Sequence, residues 1–91
     1  MKKQVWKYPI GTGGNILQMP VGAEILSIQT QFESPQMWVL VDPDAEVVDR
    51  HIEVYGTGHE ISYDMGVQRV FIGTCQLHGG NLVFHVFERI S

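Results

Sequence analysis

No segment of this chain repeats its apolar residues at the three-and-four spacing of a helix over three turns. The stretches that carry any rhythm alternate every second residue instead. That spacing puts apolar side chains on one face of an extended strand and polar ones on the other. Ten glycines and four prolines punctuate the alternation. Each such break ends a strand, because glycine supplies positive φ and proline removes a backbone donor. The expected chain is therefore a series of short strands joined by tight turns.

Read in order, Val5 to Ile10 is β-prone, with Pro9 suited to an edge or a strand end. GTGGN at 11–15 is a loop, and Ile16 to Met19 resumes. Pro20 and Gly22 mark a turn. Glu24 to Phe32 alternates, with Leu26, Ile28, Thr30 and Phe32 on one face and Ser27, Gln29 and Gln31 on the other. Glu33-Ser34-Pro35 breaks it. Met37 to Val41 is apolar on both faces, as a central strand would be. After Asp42-Pro43-Asp44, Val48 to Tyr55 places Ile52 and Val54 inward and His51, Glu53 and Tyr55 outward. GTGH at 56–59 ends that strand, and 60–67 reads as a short strand or an irregular loop. Gln68 to Leu77 and Leu82 to Arg89 close the chain as a hairpin about Gly79-Gly80, where a two-residue turn needs positive φ. In that register Cys75 faces Phe84, Thr74 faces His85 and Ile72 faces Phe87. Phe71, Gly73, Cys75, Leu77, Phe84 and Val86 then share a core face, and Ile72, Thr74, Gln76, Val83, His85 and Phe87 a mixed one. The fold class expected is all-β: one small domain over 1–91, an antiparallel β-sandwich or open barrel of six to seven short strands.

Charge limits the partners. A net charge of −4 from six basic and ten acidic residues leaves no basic footprint for long nucleic acid, although six cations suffice for the phosphates of a small ligand. No run approaches the roughly 20 apolar residues of a membrane-spanning helix. A single cysteine excludes an internal disulfide, and the N-terminal stretch has no apolar run of signal-peptide length, so the expected setting is cytoplasmic. A β domain this small buries a limited core, which favours a homo-oligomer.

Catalytic and metal readings find little support. The four histidines lack the paired spacings of metal sites, and no Cys-x-x-Cys is present. No cofactor fingerprint occurs: neither GTGG nor GTGH is followed by a helix start or a Gly-Lys-Ser/Thr ending. In the expected register Cys75 and His85 point to opposite faces, so they cannot act as nucleophile and base. The remaining reading is a binding surface. Its candidates are Trp6, Lys7 and Tyr8 on the first strand, Thr57 and His59 on the second glycine loop, and Gln76 and His78 at the last hairpin. Lysine and histidine would meet phosphate, the aromatic rings would stack, and glutamine and threonine would read base edges.

The order WKYP (6–9), MPVGAEIL (19–26), WVLVDPDA (38–45), VYGTGHEI (54–61) and FIGTCQLHGGNLVFHVFE (71–88) resembles a widespread family of small tailed-bacteriophage proteins. It is similar in turn to the phage anti-CBASS sponges, which sequester cyclic dinucleotide immune signals without cleaving them. What this resemblance implies is a non-catalytic, oligomeric protein of the infected bacterial cytoplasm, binding a ligand of the cyclic GMP–AMP type. Two other readings stand beside it. One is an inhibitor that meets a host protein through the acidic stretch Asp42, Asp44, Glu46, Asp49 and Glu53. The other is a minor structural or assembly component of the virion.

Overall fold

The computed structural model describes residues 1–91 as seven strands. They are β1 (Gln4–Pro9), β2 (Gly13–Pro20), β3 (Glu24–Gln31), β4 (Ser34–Val41), β5 (Val47–Gly56), β6 (Arg69–Leu77) and β7 (Leu82–Arg89). All pairings are antiparallel and form two sheets, one ordered β1-β4-β3 and the other β2-β5-β7-β6. The thin dimension is 15 Å, as expected for two sheets about 10 Å apart. The fold is thus the expected antiparallel sandwich. No helix of the chain is long and apolar enough to cross a membrane.

Alternation produces the core directly. Met37, Val39 and Val41 of β4 point inward from the three-stranded sheet and are fully buried. Met19 of β2, Ile52 and Val54 of β5 and Val86 of β7 meet them from the other sheet in one cluster. Arg50 on β5 ties the layers together: it forms a bidentate pair with Glu88 of β7 and donates to the Ala23 carbonyl, ahead of β3, at 2.9 Å. The ion pair and its hydrogen bonds hold the Arg50 pKa above its ordinary value.

Two bulges correct the expected facing. In β3 the register shifts between Ile25 and Ser27. Ile25 therefore packs against the core, and Leu26, expected inward, is 48% exposed. In β6 the shift falls between Phe71 and Gly73. Cys75 does face Phe84 and Thr74 does face His85, but Phe87 is opposite Phe71 and not Ile72. Ile72 turns inward, and Phe71, expected in the core, stacks edge-on to Phe87 outside, with centroids 5.4 Å apart. Bulges bend and twist a strand and are common at sheet edges. Here β3 and β6 are the two edges that lie side by side, joined by a 2.6 Å bond from the Thr30 hydroxyl to the Gln76 carbonyl.

Two loops also differ from expectation. The β6–β7 connection is four residues long, 78–81, with a 3₁₀ turn at His78–Gly80 in place of a two-residue turn. Phe32 belongs to the β3–β4 turn, where it and Glu33 have φ of 53° and 60°; the ring is 93% exposed instead of facing inward. At 60–67 the loop is the one of the two alternatives that the structure shows.

Candidate functional site

The seven sequence candidates fall into three places. Trp6 and Tyr8 lie opposite Val39 and Met37 and pack against the core. The Trp6 indole donates to Gln4 at 2.9 Å, and the Tyr8 hydroxyl donates to the Gln18 carbonyl at 3.1 Å. Burial raises the Tyr8 pKa. A ligand on an outer face would meet neither ring.

Thr57, His59 and Gln76 gather at one end of the four-stranded sheet. Their centre is His85, which the sequence list did not include. Its Nε2 is 2.7 Å from the Thr57 hydroxyl and its Nδ1 is 3.0 Å from the Thr74 hydroxyl. The His59 ring lies so close over Gly56 that a Cβ there would stand 2.9 Å from its Cε1. An open groove of about 280 Å³ runs past Thr57, His59, Asn81 and Val83. His78 turns away to the other layer, where its backbone N–H donates to Glu33 at 3.0 Å and its Nδ1 lies 3.3 Å from the same oxygen. No lysine or arginine lines this groove.

Elsewhere the outer face of the four-stranded sheet is held by its own side chains. Arg69, with a side chain only 3% exposed, binds Glu53 at 2.5 Å and the Ser62 carbonyl at 2.5 Å. Its guanidinium lies 4.7 Å from the Tyr63 ring centroid and 5.7 Å from that of Tyr55. The ion pair with Glu53 raises the Arg69 pKa. Glu53 is thereby removed from the acidic stretch, leaving Asp42, Asp44, Glu46 and Asp49 about the β4–β5 connection. A shallow groove by Ile16, His51 and Arg89 has no tryptophan, tyrosine or phenylalanine in its lining. No group of three histidine, cysteine, aspartate or glutamate side chains is placed to hold a metal ion.

The third place is the outer face of the three-stranded sheet, where Lys7 lies. Because Met37 and Val39 point inward, Gln36 and Trp38 point outward. The register sets Lys7 and Ser27 on either side of Trp38, and Pro9 and Gln29 on either side of Gln36. The Lys7 ammonium donates to Gln31 at 2.8 Å. Since Gln31 pairs with Ser34, this bond crosses β4 diagonally over Gln36. Gln36 is 8% exposed, and its Oε1 has no hydrogen-bond donor. A buried acceptor without a partner carries a desolvation cost that nothing in the fold offsets. Beside it, Val5, Leu26, Ser27, Gln29 and Trp38 line an open groove of about 440 Å³. Val5 and Leu26 there are 53% and 48% exposed.

Charge favours the same face. Arg50 and Arg69 are committed to Glu88 and Glu53, and Arg89 lies across the other sheet. Lys7, with Lys2 and Lys3 just ahead of β1, puts three of the six basic residues on or next to one edge strand. The acid Glu24 stands opposite Leu40, away from Gln36.

Residues 1–91 match the family model described as Domain of unknown function (DUF7352), and the chain belongs to that family. No curated protein and no solved structure matches it.

Proposed function

We propose that this protein is a phage immune-evasion module that captures a cyclic dinucleotide without cleaving it, and that the outer face of the three-stranded sheet is the capturing surface. The observation that carries the proposal is the grouping on that face: a tryptophan ring, an ammonium without a carboxylate partner, three glutamines and a buried acceptor lacking a donor. Base stacking on an aromatic face is worth roughly 1–3 kcal/mol. Carboxamides match the donor and acceptor pattern of base edges. The lysines of β1 and its approach supply charge for the two phosphates. Sequestration needs affinity and no proton transfer, so amide and ammonium groups are sufficient chemistry.

The face is shallow and open on one chain. Small-ligand sites bury most of their ligand, so two copies facing each other over one ligand give the enclosure that one lacks. A cyclic dinucleotide, with two nucleotides in one ring, suits such a pair. The homo-oligomer is therefore part of the proposal.

Isothermal titration with cyclic GMP–AMP, cyclic di-AMP and cyclic di-GMP tests it, with the ligand recovered after heat denaturation. The expected result is saturable binding and intact ligand. No binding across the three sinks the proposal, and recovery of a linear product replaces capture with hydrolysis.

A further inference from the structure

We infer that Gln36 is the base-reading residue of this face and that it reads a purine through a donor set beside an acceptor. The inference rests on the binding proposal above and specifies what the site reads. Its basis is the unmatched Gln36 Oε1, buried on the outer face between Pro9 and Gln29, where the Lys7–Gln31 bond crosses β4.

An acceptor without a donor selects a ligand that brings one. The carboxamide of glutamine offers an acceptor and a donor side by side. Adenine presents the complement on its major-groove edge, N6–H to donate and N7 to accept. Guanine presents the same complement on its Watson–Crick edge, N1–H to donate and O6 to accept, so the carboxamide selects a base that sets a donor beside an acceptor. Trp38, the next outward residue on β4, supplies a ring on which the same base can stack, and the groove beside it admits the base from Leu26 and Val5.

Lys7 then has two positions. Without ligand it bridges to Gln31 across β4. That bond is exposed, and such bonds contribute little net stability. With ligand, the ammonium swings to a phosphate and uncovers Gln36. One movement supplies the charge and opens the base site.

The test is affinity by calorimetry for cyclic di-AMP, its N6,N6-dimethyl analogue and cyclic di-GMP. Wild-type protein should bind cyclic di-AMP about tenfold or more tightly than the N6,N6-dimethyl analogue, which lacks the donor, the scale of one well-formed bidentate base contact. Gln36→Met should erase that preference and leave the melting temperature unchanged or raised, since it removes the unpaired acceptor. A residue of merely structural importance would lower the melting temperature instead. Gln36→Glu, which keeps the size and the acceptor and removes the amide donor, should weaken binding but keep the preference. Equal affinity of the wild type for cyclic di-AMP and its N6,N6-dimethyl analogue overturns the inference while the capture proposal stands. Absence of binding to any of them overturns both.

Discussion

Removing Arg69 should be among the most damaging single changes outside the core. Its side chain is 3% exposed and faces Glu53, whose side chain is 16% exposed. Arg69→Met leaves that carboxylate nearly buried with no cation. Removal of one partner from a buried pair costs about 3–5 kcal/mol, and the remaining access of Glu53 to water lowers this to about 2–4. The same change releases the Ser62 carbonyl and the ring of Tyr63, so the loop over 57–68 loses its anchor. A domain of this length has roughly 5–13 kcal/mol in total. The expected fall in melting temperature is about 8–32 °C, using about 4–8 °C per kcal/mol. Urea unfolding should show the same loss, with protease cuts appearing first in 57–68. The double variant Arg69→Met, Glu53→Leu should regain most of the lost stability, because an apolar pair of similar volume meets no stranded charge. The reasoning fails if Arg69→Met costs under about 1 kcal/mol, or if the double variant is no more stable than the single.

Three further outcomes follow from the same geometry. Met37→Ala empties space between the sheets at a fully buried position and should cost about 2–5 kcal/mol in urea unfolding. Cys75 is buried, and burial raises its thiol pKa from 9.0. The unfolded chain therefore ionises first, so stability is level below pH 9 and falls as pH rises above it toward the folded pKa. Cys75→Ala should flatten that alkaline slope in melts between pH 8 and pH 10, and a thiol reagent should label the wild type only as fast as it opens. His59→Ala should leave cyclic dinucleotide affinity unchanged if the outer face of the three-stranded sheet is the site; a loss above about tenfold would return the site to the groove by Thr57 and His85.

Much of the fold was legible because alternation and turns agree. The ends of β7 were placed at Leu82 and Arg89, and Ile52 and Val54 were placed inward. Both errors of facing share one cause. Ile25-Leu26 and Phe71-Ile72 are pairs of consecutive apolar residues, and a period of two loses its phase wherever neighbours are equally apolar. A bulge at such a pair leaves no mark in the pattern. Gln36 escaped notice for a different reason. Pro35 reads as a strand breaker, so β4 was expected to begin at Met37. The strand actually starts at Ser34, close enough to Pro35 for its missing N–H to be tolerated. Only that longer strand brings Gln36 between Pro9 and Gln29 and under the bond from Lys7.

The two outer faces of the sandwich differ in how far their polar groups satisfy one another, and on the proposed function this difference would separate scaffold from binding surface. On the four-stranded sheet, Arg69 has a carboxylate, a carbonyl and two aromatic rings, and His85 has a hydroxyl on each nitrogen. A ligand there would have to break existing bonds to make new ones, with little net gain. On the three-stranded sheet, Lys7 holds one amide with one of its three donors, and Gln36 Oε1 holds nothing. A ligand there adds bonds where the fold has left them unmade. On the proposed function, the same Lys7 and Gln36 would let an acidic chain take up a dianion. Arg50 and Arg69 neutralise Glu88 and Glu53 inside the structure, and the three lysines, none paired with a carboxylate, lie on β1 or just ahead of it.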